Sequence, residues 1–173
     1  MPVDHLFGVP ILAEYIVSKK IEDIIVVSPD LGGVTRARQL ADRLEAPIAI
    51  IEKRRPQPGV AEVMNLIGSV EGKTAILIDD IVDTAGSLVE GAKALERFGA
   101  KKVYACCTHA VLSNPAIERI EKSNIAELII TNTIPVPPEK RTPKIKLLSV
   151  APLFGEAIIR IYTDVSVSKL FDD

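Results

Sequence analysis

Apolar residues along this chain gather into short unbroken runs instead of alternating with polar ones. The runs are "DIIVVS" (23–28), "PIAIIEK" (47–53), "TAILID" (74–79), "KVYACCT" (102–108), "ELIIT" (127–131) and "KLLSV" (146–150). Strands buried on both faces read this way, because neither side meets water. Between the runs the spacing becomes helical. In "GGVTRARQLADRLEA" the positions Val34, Ala37, Leu40, Ala41 and Leu44 follow it, with Arg36, Arg38 and Asp42 between them. "SLVEGAKALERFGA" (87–100) predicts a helix stopped by glycine, and "NPAIERIEKS" (114–123) one that begins near a proline. "MPVDHLFGVPILAEYI" enters a further helical pattern, while "VAEVMNLIGSV" (60–70) fits an extra strand or a hairpin. Strand and helix in alternation predict an α/β fold, a mainly parallel sheet with helices on both faces.

Composition narrows the class. A chain of 173 residues fits one domain, and 47% hydrophobic residues can bury a core without disulfides or a structural metal. Aromatic residues are only 4%, so that core must be aliphatic. A net charge of −2 gives no general pull toward nucleic acid or anionic lipid, and any basic site must be local. Cys106 and Cys107 are strand neighbours pointing to opposite faces, which disfavours a bridge between them. With no CxxC pair, no secretory leader and no apolar stretch near the ~20 residues that span a bilayer, a soluble cytoplasmic protein is expected.

In parallel sheets ligands collect beyond the carboxyl ends of the strands. Four unusual segments fall there: "SPDLGG", "EKRRPQPG", "IDDIVDTAGS" and "CTHAVLSNP". Residues 84–87 lie where a strand turns into a helix, and the free N–H groups and dipole of a helix start favour an anion. Gly86 permits close approach, and Thr84 and Ser87 add hydroxyl donors. Asp79 and Asp80 would repel a phosphate but can accept hydrogen bonds from sugar hydroxyls, directly or through a divalent cation. A phosphorylated ribose has both ends. The plainer alternative is that Asp83 or Thr84 caps the helix and the acids are merely solvated. If "EKRRP" is extended, Lys53 and Arg55 share one face, where two cations could stabilise a phosphoryl group in transfer. A solvated basic surface is the alternative there, as an ordinary tight turn is for "PDLGG".

"ILIDDIVDTAGS" resembles the phosphoribosyl pyrophosphate signature of type I phosphoribosyltransferase folds. Taken with "VVSPDLGGVTRARQLADRL", "IIEKRRPQPGVAEVMNLIG", "YACCTHAVLSNPAIERI" and "LLSVAPLFGEAIIRI", the whole chain resembles the C-terminal half of the ribose-phosphate pyrophosphokinase family. The resemblance implies a phosphoribosyltransferase-like domain over 1–173. It implies Mg2+-dependent transfer of diphosphate from ATP to the 1-hydroxyl of ribose 5-phosphate, giving phosphoribosyl pyrophosphate and AMP. Arg55, Asp79, Asp80, Asp83, Thr84, Ala85, Gly86 and Ser87 would bind ribose 5-phosphate. Asp30 would hold magnesium and, with Gly32 and Gly33, the pyrophosphate. Lys53 and Arg55 would be catalytic, acting from a loop over the site. Homo-oligomers, commonly hexamers, are implied as well.

The family's preceding domain, which supplies much of the ATP site and a metal-binding histidine, is absent from this sequence, so weak or no turnover is expected of the isolated domain. Two other functions are weighed: a phosphoribosyltransferase acting on phosphoribosyl pyrophosphate, which shares the acidic loop but not the "EKRRPQPGVAEVMN" segment, and a non-catalytic synthetase-associated subunit that retains the fold. "GSVEGKT" (68–74) is one residue short of a phosphate-binding GxxxxGKT loop and precedes its strand, so it is set aside. Cys107 and His109 could suggest a thiol nucleophile, but their alternate strand positions match no such spacing; the cysteines are expected to pack and His5 to be incidental.

Overall fold

The computed structural model describes residues 3–54 and 63–170. Helix α1 (Val9–Ser18) leads into β1 (Ile24–Ser28), α2 (Val34–Arg43), β2 (Ile48–Arg54) and β3 (Val63–Ile67). Then follow β4 (Thr74–Val82), α3 (Gly86–Arg97), β5 (Lys102–Ala110), α4 (Ala116–Lys122), β6 (Ile125–Thr131), β7 (Ile145–Leu148) and α5 (Ala151–Tyr162). These strands form one sheet in the order β3-β2-β1-β4-β5-β6-β7. Every neighbouring pair is parallel except β2 and β3, which form an antiparallel edge pair with Lys53 opposite Met64. The stretch 60–70 therefore contributes an extra strand.

Both faces of the sheet are covered, which is why the strand sequences run apolar without alternation. Ile25, Val27, Ala75, Leu77, Val103, Ala105, Leu128 and Ile130 pack beneath α3 and α4. Val26, Ile76, Ile78, Tyr104 and Ile129 pack on the other face beneath α1 and α2. Cys107 belongs to the first layer and Cys106 to the second, as neighbours on a strand must. Both thiols are fully buried, and burial pushes Cys107 up to about 12 and Cys106 well above the usual thiol range. Neither is a nucleophile at neutral pH.

The strand ends differ from expectation at two informative places. β4 continues past 79 to Val82, and β5 past 108 to Ala110. The two strands pair through Ile81–His109 and Val82–Ala110, and buried Val82 anchors the extension. Asp79 and Asp80 look like a strand terminus because aspartate is rare in strands, but the ladder carries them. They stand on rigid backbone, not in a loop. "GSVEGKT" does precede β4, with Gly68 and Gly72 at positive φ in the turns before it.

Chain progression reverses between β1 and β4: β2 and β3 lie on one side of β1, and β4 to β7 on the other. Such a switch point opens a crevice beyond the carboxyl ends of the two strands. Helix α3 is seated beside it by Gly91, where an added Cβ would stand 3.2 Å from Leu77 Cδ2 and 3.4 Å from Ile51 Cδ1. Gly91→Val is expected to cost about 1–3 kcal/mol by overpacking, read as a lower midpoint in urea unfolding. An unchanged midpoint would show that α3 does not rest on this contact.

Candidate functional site

Three backbone segments meet at the switch point. The first is the turn after β1. Ser28 Oγ donates to the Asp30 carbonyl at 2.6 Å, and Gly33 N–H donates to Asp30 Oδ1 at 2.8 Å. An added Cβ on Gly33 would lie 2.8 Å from Ser28 Oγ, so any other residue there would have to displace that hydroxyl from the Asp30 carbonyl. To this extent the tight-turn alternative describes Asp30 and Gly33 in the free chain. The Asp30 carboxylate remains exposed, with Gly32 beside it.

The second segment is the end of β4. Asp79 Oδ1 accepts from the Asp80 amide at 2.8 Å, and Asp80 Oδ1 from the Ile81 amide at 2.8 Å. Arg36, from the first turns of α2, spans the pair: Nη2 lies 2.6 Å from Asp80 Oδ2 and Nη1 3.4 Å from Asp79 Oδ1. Burial pushes the Asp79 carboxyl up to about 6. The neighbouring Asp80 carboxyl raises it further, while the Asp80 amide and Arg36 pull it back. Asp80 is held below the usual carboxylate range. Burial opposes this, but the contact with Asp79, Arg36 and the Ile81 amide outweighs it. Above about pH 6 the crevice thus presents two ionised acids held by one guanidinium. In Arg36→Ala the Asp79 midpoint should rise above 6, which carboxyl NMR titration would register; an unmoved or lower midpoint would contradict this clamp.

The third segment runs from Asp83 into α3. Ala85, not Asp83 or Thr84, is the capping residue, and no side chain caps the helix. Its backbone is left-handed (φ 57°, ψ 11°) although it is not glycine, a conformation that costs about 1 kcal/mol or more. The first bond of α3 joins Val89 N–H to the Ala85 carbonyl at 3.0 Å. The amides of Gly86, Ser87 and Leu88 lie ahead of it, without acceptors inside the helix. Thr84, Asp83 and Ser87 are exposed around this helix start. A helix start of this kind can receive an anion, and the acids of β4 can receive hydroxyl donors.

The sequence now has relatives to set beside this geometry. Residues 53–172 match the family model described as the phosphoribosyl synthetase-associated domain. The chain belongs to this family. It is 67% identical over 172 residues to a protein of Bacillus caldolyticus named ribose-phosphate pyrophosphokinase, covering 99% of this chain and 55% of that one. The chain spans about half the length of the curated relatives it matches. The solved phosphoribosylpyrophosphate synthetase of Mycobacterium smegmatis superposes with a TM-score of 0.87 at 38% identity, over 94% of this chain and 53% of that one. A purine phosphoribosyltransferase of Pyrococcus horikoshii (TM-score 0.50, 24% identity, 61% of this chain and 73% of that one) shares the fold alone. The type I phosphoribosyltransferase-like architecture expected from the sequence is what these structures have.

Within the synthetase-associated domain, the sheet order sets the turn after β1, which carries Asp30, Gly32 and Gly33, next to the end of β4 with Asp79 and Asp80, and residues 83–87 follow directly; among them Gly32 and Asp80 line one cavity. Lys53 lies on β2 by its backbone, while its side chain and the whole of Arg55 fall outside the described residues. Two arginines that sequence reasoning missed also stand here. Arg36 was noted only as a polar helix position, although it follows Gly33 by three residues and so shares its side of α2. Arg119 donates from Nη1 to the Thr84 carbonyl at 3.0 Å, and no local motif announces it. Beside the acids, a cavity of about 720 Å³ extends between α1, α2 and β5, walled in part by Arg36, Asp80, Thr108 and His109. His5, expected to be incidental, also lines it, its ring 5.1 Å from that of Phe7.

Proposed function

We propose that this chain supplies the sugar-phosphate half of a ribose-phosphate diphosphokinase, which moves the diphosphoryl group of ATP to the 1-hydroxyl of ribose 5-phosphate. The observation that carries the reading is the pairing of two anchored carboxylates with the open amide end of α3. Asp79 and Asp80 accept the ring hydroxyls, and the amides of 85–87 with Thr84 and Ser87 hold the 5-phosphate. Fixing both ends orients the 1-hydroxyl and removes much of the entropic cost of transfer. Names and identities of the relatives support the same reaction class.

Asp30 suits magnesium. Its exposed carboxylate is a hard oxygen donor, and one or two such groups are what that ion takes from protein beside phosphate oxygens and water. Among the described residues no three His, Cys, Asp or Glu side chains converge. Bound there, the ion would neutralise charge on the diphosphate oxygens. Lys53 and Arg55 would add positive charge as the transferred group moves, and Gly32 and Gly33 would let backbone approach it. Association into homo-oligomers belongs to the proposal, supported by the exposed apolar residues Phe154, Ile158, Ile159 and Ile161 of α5. Among the described residues no helix is long and apolar enough to cross a membrane, and a cytoplasmic location is proposed.

Calorimetric titration with ribose 5-phosphate in magnesium buffer tests the reading. Saturable binding is expected, with little AMP formed from ATP by this chain alone. Absence of heat with both ribose 5-phosphate and phosphoribosyl pyrophosphate would refute it. Dependence on a purine or pyrimidine base instead of ATP would favour the transferase alternative.

A further inference from the structure

Helix α4 is held against the sheet by Ala116 and Ile120, both fully buried, and this directs Arg119 toward the loop before α3. Its Nη1 donates to the Thr84 carbonyl at 3.0 Å, and a Cβ added to Gly86 would stand 3.3 Å from the same nitrogen. The guanidinium therefore lies alongside the backbone of residues 84–86. Among the described residues Arg119 has no ion-pair partner, since the adjacent Glu118 pairs with Lys122. One of five donors is spent on Thr84, and the charge also acts through space on the exposed Glu118.

We infer that Arg119 is a specificity-determining residue for the phosphate end of the ligand, resting on the reading of 84–87 as a phosphate site. Two physical effects combine. In a planar trans peptide the carbonyl of Thr84 and the N–H of Ala85 point in opposite directions. Holding that carbonyl toward α4 turns the Ala85 amide away from it. Ala85 is left-handed and Gly86 helical, and successive amides in such a pair converge on one point, as in an anion nest. Arg119 thereby fixes the nest from behind, and its positive charge favours through space an anion held there. Glycine at 86 leaves the room the guanidinium occupies.

Calorimetry of ribose 5-phosphate binding to the wild type, Arg119→Ala, Arg119→Gln and Arg119→Lys tests this, with inorganic phosphate as competitor. Arg119→Ala should lose about tenfold or more in affinity, as the charge is removed and the nest released. Arg119→Gln keeps a donor for the Thr84 carbonyl but no charge, and should lose nearly as much. Arg119→Lys should recover part of the loss. Displacement by inorganic phosphate should weaken in parallel, while ligand-free thermal midpoints stay within a few degrees, which a merely structural role would not produce. If Arg119→Ala fails to fold, the Gln and Lys variants carry the comparison. A wild type that binds ribose 5-phosphate while the variants bind it equally well overturns the inference and leaves the parent reading intact. A wild type that binds neither ligand overturns both.

Discussion

Asp79→Asn should weaken ribose 5-phosphate binding about 10- to 100-fold at pH 8 and flatten its dependence on pH. An amide would not replace a carboxylate proposed to accept ring hydroxyls, because its NH2 group would face a hydroxyl donor. In the wild type, binding should strengthen as pH rises through about 6, where Asp79 ionises. The ligand's phosphate also ionises near there, so the variant keeps that share of the slope and loses the rest. Stability moves the other way. The folded carboxyl titrates near 6 against an ordinary 3.8, so the native state binds its proton more tightly than the unfolded chain does. The resulting cost is absent below about pH 4, grows between 4 and 6 and is complete above 6. Because the side chain is 28% exposed and touches Arg36, the cost is on the order of 1 kcal/mol. Asp79→Asn should therefore be the more stable protein at pH 8 and gain nothing at pH 4. Parallel unfolding midpoints at the two pH values would contradict this.

Gly86→Asp should abolish measurable binding, a loss of about 100-fold or more, without unfolding the protein. Its Cβ would stand 3.3 Å from Arg119 Nη1, placing a carboxylate on the guanidinium and a negative charge beside the proposed phosphate site. An acid in the first turn of a helix favours the helix itself, so the thermal midpoint should hold or rise slightly. Loss of affinity with retained stability separates a blocked anion site from a damaged fold. Retained affinity would mean that the phosphate sits elsewhere.

Much of this was legible along the chain, and the exceptions share a cause. Strands such as Ile24–Ser28 and the core of β4 announce themselves because both faces are buried. The edge strand β3 announces itself less sharply, as either an extra strand or a hairpin, since Val63–Ile67 is short and pairs on one side only. Asp79, Asp80 and Gly86 were legible as site candidates because strand, acids, loop and helix follow one another within a few residues. Arg36 and Arg119 were not. They reach the site from 43 residues before Asp79 and 35 after Thr84, across contacts that exist only once the sheet has ordered α2 and α4. The left-handed Ala85 was equally hidden, because alanine carries no signal for positive φ. The close packing of Gly33 on Ser28 was hidden as well, since it depends on how the turn folds back on β1.

A crystal structure of this chain grown with ribose 5-phosphate and magnesium measures the central claim most directly. Phosphorus should appear against the amides of Ala85, Gly86 and Ser87, with a ring hydroxyl in hydrogen-bond reach of Asp79. Phosphorus bound elsewhere, or a ring turned so that its hydroxyls miss both acids, would contradict the account.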